Sequence, residues 1–269
     1  MGLVTSRSEP LARLSVLFSF LAWTVLACAA EESIAISPVS VREQLSVKIV
    51  GEFPHDPGAF TQGLLWYGGK LYESTGHYGR SSLRKVRLET GDVEEQISLP
   101  RQFFAEGLTK AGGELIQLTW REGVAFVYDL RRFRESRRMS FQGEGWGLTY
   151  DGKWLVMSDG SDVLTFRDPN SMAVWRQVPV TVKGRPVRFL NELEFAQGAV
   201  FANVWQKMEI MRIDPLNGKV TAVIDASSLL ARMKLPPRDV LNGIAFAPER
   251  GTFFLTGKYW PKLFEVRFE

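Results

Sequence analysis

Residues 104–120 read FAEGLTKAGGELIQLTW, and four other segments of the chain repeat their pattern. The aligned segments are FTQGLLWYGGKLYESTG at 60–76, GWGLTYDGKWLVMSDG at 145–160, LNELEFAQGAVFANVW at 190–205 and LNGIAFAPERGTFFLTGK at 241–258. The equivalent positions in the five segments are Gly63, Gly107, Gly147, Glu192 and Gly243. Successive positions are 44, 40, 45 and 51 residues apart. Self-similarity at such a period is typical of architectures in which each repeat is one supersecondary unit.

Each repeat predicts four β-strands. The first two strands flank a turn that falls at Gly68-Gly69, Gly112-Gly113, Asp151-Gly152 and Gln197-Gly198. These residues tolerate the positive φ that short hairpins require. Alternating segments such as LRKVRL at 83–88 follow and predict a third and a fourth strand. Four strands in about 45 residues is the pattern of a β-propeller blade.

The last repeat is one strand short. After Lys258 only LFEVRF at 263–268 remains, whereas SVKIVGE at 46–52 precedes the first repeat. Pairing of these two segments would leave no open edge between the first and last blades. We therefore predict an all-β fold: a five-bladed β-propeller, residues 46–269, that is closed by its N- and C-terminal strands.

The first 30 residues have the features of a signal peptide. Arg7 and Arg13 precede an uncharged stretch at 14–27, which is short for a membrane-spanning helix, and small residues follow it. The sequence VLAC at 25–28 is also typical of a bacterial lipobox, in which Cys28 would carry a lipid. We predict an exported protein, periplasmic or secreted, with a tether at 31–45. A lipid on Cys28 would be its one membrane contact.

Composition narrows the classes of function. A chain of 269 residues that is 45% hydrophobic and 23% charged is expected to fold. A net charge of +3 predicts no nucleic-acid partner, and the basic run RRFRESRR at 131–138 is expected to be a solvated surface. Cys28 is the only cysteine, and His55 and His77 are the only histidines. The single cysteine excludes a disulfide scaffold and a cysteine zinc site. Two histidines are few for a histidine-based metal site or a Ser-His-Asp site. We expect a monomer without metal or cofactor.

Two positions vary among the repeats, although the residues around them recur. The position before the recurring glycine reads Gln62, Glu106, Trp146, Asn191 and Asn242. The position at the end of the second strand reads Gly76, Trp120, Gly160, Trp205 and Lys258. Equivalent positions on the innermost strands of a propeller form a ring around its axis. We therefore predict a pocket that combines a carboxylate, an ammonium, amides and indoles.

Each of these residues also has a structural interpretation. The indoles could fill the core, and Glu106 could belong to a structural ion pair. Lys258 could lie on an exposed rim. The amides of Gln62, Asn191 and Asn242 could cap turns between blades.

Five motifs resemble those of the plant and bacterial glutaminyl cyclotransferases. They are FTQGL at 60–64, FAEGLT at 104–109, GWGLT at 145–149, LNELE at 190–194 and TGKYWP at 256–261. The resemblance extends over the chain from about Phe53 to Phe268. It implies a five-bladed propeller that cyclises the N-terminal glutamine of peptides and proteins to pyroglutamate, releases ammonia and uses no zinc.

The same resemblance implies that Glu106 transfers the protons, first as a base and then as an acid. From its charge we expect Lys258 to stabilise the developing oxyanion, a role that the amides of Gln62, Asn191 and Asn242 could also fill. The Lys258 ammonium could instead pair with Glu106. The expected substrate-binding residues are Phe60, Phe104, Trp120, Trp146, Trp205 and Asn242.

Two other functions fit the repeats. The chain could be an exported, non-catalytic propeller that binds peptides or another small ligand in its channel, because a fold alone does not determine a function. It could also resemble a sugar-lactone hydrolase with a central metal. Glu192 and Glu194 would then be the candidate ligands, because they share strand parity and point the same way.

Overall fold

The structure is a computed structural model that describes residues 43–233 and 240–269. The predicted signal peptide, including Cys28, and residues 31–42 of the predicted tether lie outside these residues. Regular structure in the described residues is almost entirely β, with a short 3₁₀ helix at Ser227–Arg232. This part of the chain contains no helix with the length and apolar character needed to cross a membrane. The predicted all-β fold is confirmed.

The strands form groups of four in which neighbours pair antiparallel. Strand β1 (Glu43–Pro54) precedes the first group. The first group is β2 (Thr61–Tyr67), β3 (Lys70–Thr75), β4 (Ser82–Val86) and β5 (Val93–Ser98). The second is β6 (Ala105–Ala111), β7 (Glu114–Thr119), β8 (Val124–Asp129) and β9 (Arg134–Ser140). The third is β10 (Leu148–Tyr150), β11 (Leu155–Met157), β12 (Val163–Arg167) and β13 (Val174–Pro179).

A small hairpin, β14 (Thr181–Val182) and β15 (Arg185–Pro186), separates the third group from the fourth. The fourth group is β16 (Leu190–Ala196), β17 (Ala199–Val204), β18 (Glu209–Ile213) and β19 (Val220–Asp225). The chain ends with β20 (Leu241–Ala247), β21 (Thr252–Gly257) and β22 (Lys262–Phe268), and β1 completes this last group.

Strand β1 joins the two ends of the described chain. It pairs antiparallel with β22, with Val47 opposite Phe268 and Pro54 opposite Lys262, as the sequence predicts. It begins at Glu43, inside the segment predicted to be a tether, because its first four residues also pair parallel with β19. This second pairing joins the fourth and last groups into one eight-stranded sheet, which the repeats did not indicate.

The first strands of the groups contact one another in a closed ring. Around this ring the order of the strands is β2, β6, β10, β16 and β20, and β20 contacts β2 again. Recurring glycines permit this approach. A Cβ on Gly107 would lie 2.5 Å from the backbone nitrogen of Leu148, and one on Gly147 would lie 2.0 Å from the carbonyl oxygen of Asn191. These contacts explain why the repeats keep glycine beside the variable position.

Apolar side chains fill the space between neighbouring groups. Between the first and second groups, for example, Leu83 packs in one buried cluster with Leu108, Leu115 and Phe126. Similar clusters lie between the other neighbouring pairs. The sheets therefore pack face to face around the ring, and the polar residues of the first strands lie on its inner side.

Candidate active site

The register of the first strands is irregular at the position where the sequence predicts chemistry. Pairing of β6 with β7 shifts between Ala105 and Leu108, across Glu106, and pairing of β2 with β3 shifts across Gln62. Strands β16 and β20 have the same irregularity at Asn191 and Asn242. A β-bulge redirects a side chain out of the normal alternation of a strand. The repeats thus place a redirected polar side chain on four first strands.

The second variable position is also held by a repeated contact. The backbone N–H of Trp120 donates to the carbonyl of Phe104 at 2.9 Å, and the N–H of Trp205 donates to that of Phe189 at 2.9 Å. Lys258 makes the same bond to Val240, at 2.9 Å. In these three groups the residue that follows the second strand is therefore fixed beside the start of the first strand.

The predicted residues meet around one cavity of about 350 Å³. It is lined by Phe60, Gln62, Phe104, Glu106, Trp120, Arg121, Glu144, Trp146, Asn191, Trp205 and Lys258. Every predicted site residue except Asn242 is among them. A larger cavity of about 800 Å³ shares Phe60, Trp205 and Lys258 with this one, so the two are neighbours.

Glu106 is buried in the wall of the smaller cavity. Its Oε1 accepts a hydrogen bond from Gln62 Nε2 at 2.8 Å, and no described side chain donates to its Oε2. Burial raises the pKa of Glu106 well above its usual range; the positive charge of Lys258 opposes this rise, and the negative charges of Glu144 and Glu122 add to it. A raised pKa makes a carboxyl group a better proton acceptor and allows it to act as a donor as well.

Asn242, which the sequence predicts to bind substrate, is not among the residues that line this cavity. It is fully buried behind Gln62, and its Nδ2 donates to Gln62 Oε1 at 3.1 Å and to the carbonyl of Thr61 at 2.9 Å. These contacts occupy the oxygen of the Gln62 amide and turn its Nε2 towards Glu106. Asn242 therefore orients Gln62.

Lys258 is 6% exposed, so the interpretation that it lies on an exposed rim is wrong. Its Nζ lies 4.5 Å from the centroid of the Phe60 ring. Burial lowers the pKa of Lys258, and the charge of Glu106 opposes this effect. No ion pair within 4.0 Å joins Lys258 to a carboxylate in the described residues. Within the described part of the chain, the ammonium therefore contacts the Phe60 ring at the cavity but no carboxylate.

Aromatic rings form the walls. Trp146 meets Trp205 at a centroid distance of 5.9 Å and an interplanar angle of 85°, and Phe104 meets Trp120 at 5.6 Å and 62°. Phe60 contacts Phe104 at 6.1 Å with the rings nearly perpendicular. Such edge-to-face contacts are a preferred geometry of aromatic pairs. Because these residues line a cavity, the interpretation of the three indoles as simple core filling is wrong.

Sequence reasoning did not select two of the lining residues, Glu144 and Arg121. Glu144 Oε2 accepts hydrogen bonds from the indole N–H of Trp120 at 2.8 Å and of Trp146 at 3.0 Å. Its Oε1 accepts one from Arg121 Nε at 3.0 Å. A signal existed in the repeats, because Glu144 stands where two other repeats have Phe60 and Phe104.

Glu192 and Glu194, the candidates for a metal site, bind backbone groups of neighbouring strands. Glu192 accepts hydrogen bonds from the N–H groups of Leu64 and Ile244, and Glu194 accepts one from that of Phe246. Burial raises the pKa of both, that of Glu194 to about 8. Among the described residues no three His, Cys, Asp or Glu side chains lie close enough to hold a metal ion. The absence of a metal stays a prediction.

The chain is similar in sequence and in structure to known proteins. The family model described as glutamine cyclotransferase matches residues 19–268. A glutaminyl-peptide cyclotransferase from Arabidopsis thaliana is 45% identical over 226 residues, which cover 82% of this chain and 71% of the plant protein. The crystal structure of Myxococcus xanthus glutaminyl cyclase matches with a TM-score of 0.81 and 42% identity, covering 85% of this chain and 99% of that one. The chain belongs to the glutamine cyclotransferase family.

Proposed function

We propose that the protein is a glutaminyl-peptide cyclotransferase, an aminoacyltransferase that converts the N-terminal glutamine of peptides and proteins to pyroglutamate. The observation that carries this proposal is Glu106, a buried carboxyl group with a raised pKa in an aromatic cavity. Membership of the glutamine cyclotransferase family supports the choice of reaction. A volume of about 350 Å³ is sufficient for one glutaminyl residue.

The reaction needs one group that first removes a proton and then returns it. The neutral α-amine of the substrate attacks the carbonyl carbon of its own side-chain amide, which forms the ring bond and an oxyanion. Glu106 takes a proton from the attacking amine and delivers it to the leaving nitrogen. The bond between carbon and leaving nitrogen then breaks, and ammonia departs. A raised pKa suits a carboxyl group to both transfers near neutral pH.

Lys258 and Asn191 are the best placed donors to the oxyanion. Both line the cavity, and no described group forms a hydrogen bond with the Asn191 side-chain amide or with the Lys258 ammonium. Gln62 has a different role in this proposal, because its N–H group is already directed at Glu106 by Asn242. It holds the carboxylate in place and is a weaker candidate for the oxyanion.

The walls orient the substrate. The rings of Phe60, Phe104, Trp120, Trp146 and Trp205 enclose a flat amide and favour the folded conformer in which amine and carbonyl carbon are close. Residues that follow the glutamine can continue into the larger cavity.

We further propose that the strand groups are the blades of a five-bladed propeller. Export of the chain, with Cys28 as a lipid anchor or with cleavage of residues 1–30, also belongs to the proposal.

Ammonia release from a dipeptide that begins with glutamine tests the reaction, with and without a chelator. Glu106→Gln should fold and lose activity, whereas Glu194→Gln should keep it, because Glu194 is a partly buried carboxyl group with a raised pKa that does not line the cavity. Activity of Glu106→Gln would contradict the carboxylate mechanism. Loss of release with chelator would contradict a metal-independent reaction. A folded wild-type protein without activity would favour the non-catalytic peptide-binding function.

A further inference from the structure

Glu144 is the one acidic side chain of the cavity that binds two of its aromatic walls. A single oxygen, Oε2, accepts the indole N–H of Trp120 at 2.8 Å and that of Trp146 at 3.0 Å. An indole has one N–H donor, so each bond fixes the direction of a whole ring edge. Hydrogen bonds to a charged acceptor are stronger than bonds between neutral groups. Glu144 therefore couples two walls that come from different strand groups.

The second oxygen extends this contact to the outer face of one ring. Glu144 Oε1 accepts from Arg121 Nε at 3.0 Å, and the Arg121 guanidinium lies 3.7 Å from the centroid of the Trp120 ring. Phe104 contacts the same indole at a centroid distance of 5.6 Å. Trp120 is thus held by its edge, by a stacked cation and by a neighbouring ring.

The repeats show that a carboxylate at this place is unusual. The position two residues before the variable ring position reads Phe60, Phe104, Glu144, Phe189 and Val240 in the five repeats. Only the third repeat has a charged residue there, and that repeat has Trp146 at the ring position. The acidic side chain and the indole that it binds therefore occur together in one repeat.

We propose that Glu144 is a positioning residue: its carboxylate fixes the indoles of Trp120 and Trp146 as walls that hold the glutaminyl group in its attacking conformation. This inference rests on the proposed function. It assigns Glu144 no contact with the reacting atoms, because its carboxylate acts through the two rings.

Two simpler roles would give the same hydrogen bonds. An ion pair with Arg121 at the surface would contribute little, since both side chains are more than a third exposed. Alternatively, Glu144 could act only through its charge on Glu106, a role that Glu122 shares and that Lys258 opposes. Glu122 is a useful control for this charge effect, because it accepts from the Tyr78 hydroxyl and from the backbone of Phe104 but from no described indole.

Two substitutions separate geometry from charge. Glu144→Gln removes the charge but keeps an acceptor oxygen at the same reach, whereas Glu144→Asp keeps the charge and withdraws it by one methylene. Glu144→Ala removes both, and Glu122→Gln removes the neighbouring charge alone. The readouts are kcat and KM for ammonia release and the indole ¹H–¹⁵N resonances of protein labelled with ¹⁵N-tryptophan. Trp120→Phe and Trp146→Phe identify the two resonances.

We expect Glu144→Asp and Glu144→Ala to move both resonances and to lower kcat/KM on the order of 10- to 100-fold, chiefly through kcat, because orientation is lost. Glu144→Gln should lose less than about fivefold, since the acceptor is retained. Glu122→Gln should leave both resonances in place.

The opposite order of activity, with Glu144→Asp active and Glu144→Gln inactive, would overturn the inference in favour of a charge effect. Unmoved indole resonances in Glu144→Asp would overturn it as well. An inactive wild-type protein would instead contradict the proposed function, and the resonances would still report whether Glu144 holds the two rings.

Discussion

Lys258→Met would show what the buried ammonium contributes. Lys258 Nζ lies 4.5 Å from the centroid of the Phe60 ring and has no ion pair with a described carboxylate, yet its charge influences Glu106. Methionine has a similar unbranched apolar stem without charge or donors. The substitution therefore removes one positive charge and its hydrogen-bond donors while most of the packing against Phe60 remains.

The expected loss has two components. If Lys258 donates to the oxyanion, kcat falls by about 10²–10³, equivalent to about 2.7–4 kcal/mol of transition-state stabilisation. Burial raises the pKa of Glu106 and the positive charge of Lys258 opposes this rise, so removal of the charge raises the pKa further. Because the ionised carboxylate acts first as the base, the acidic limb of the kcat/KM profile should move to higher pH.

Ammonia release measured across the pH profile separates these components. The same peptide is used for both proteins, so the ionisation of its α-amine affects both profiles equally. If Lys258 only pairs electrostatically with Glu106, the acidic limb moves but the plateau kcat stays within about threefold of wild type, which would refute the oxyanion assignment. Lys48→Met is the control for removal of one positive charge, because Lys48 is an exposed lysine that pairs with Glu269 and lines neither cavity.

Three further substitutions test the scaffold behind the site. Glu73→Gln should destabilise the protein by about 3–5 kcal/mol in chemical denaturation, because it leaves His55 buried without its carboxylate partner 3.0 Å away. Gly147→Ala should lower both the melting temperature and kcat, since the new Cβ would lie 2.0 Å from the carbonyl of Asn191; an unchanged melting curve would contradict this. Asn242→Leu should lower kcat with little change in KM, because Gln62 loses the donor that orients it; kinetics with kcat unchanged would argue against that role.

The buried pair of His55 and Glu73 also makes stability depend on pH. Burial disfavours the charged form of both groups, but the opposite charge and the hydrogen bonds of neighbouring groups favour it more strongly. The pKa of His55 is therefore raised and that of Glu73 is lowered. The contribution of His55 is complete below the pKa of an unfolded histidine and is lost as pH rises through its folded value. The contribution of Glu73 is complete above the pKa of an unfolded glutamate and is lost as pH falls through its folded value. Both are present between about pH 4.3 and 6.5, and melting curves of Glu73→Gln should lack this dependence.

Much of the fold could be predicted because its turns and close contacts constrain individual residues. Gly68 and Gly69 adopt φ values of 60° and 75° between β2 and β3, and Gln197 and Gly198 adopt 52° and 77° between β16 and β17. Each pair therefore identifies a hairpin from the sequence alone. The pairing of β1 with β22 could be predicted because the last repeat lacked a strand. The parallel pairing with β19 could not, since it joins the outer strands of two groups in a contact that no repeat required.

The candidate site divides in the same way. Residues at the variable position of a repeat, such as Glu106 and Asn191, could be found by aligning the repeats, because the strands around them have the same geometry. For Asn242, the position in the repeat does not show whether the amide faces the cavity or packs behind Gln62, where the structure places it. Glu144 was missed because its role depends on a contact between two strand groups, and the alignment compares repeats without showing how they meet.

The bulges explain how a repeat of nearly constant backbone can build an asymmetric cavity. The irregular register across Gln62 and Glu106 redirects each side chain inward, while the glycine beside it is fixed by contact with the next first strand. The variable residue can therefore change its chemistry without changing the packing between groups. The third group differs: its first strand begins only at Leu148, after Trp146, and the Glu144 carboxylate holds that indole. In the third group a hydrogen bond to a side chain thus directs the variable residue inward. In the other groups the irregular register of the backbone does so.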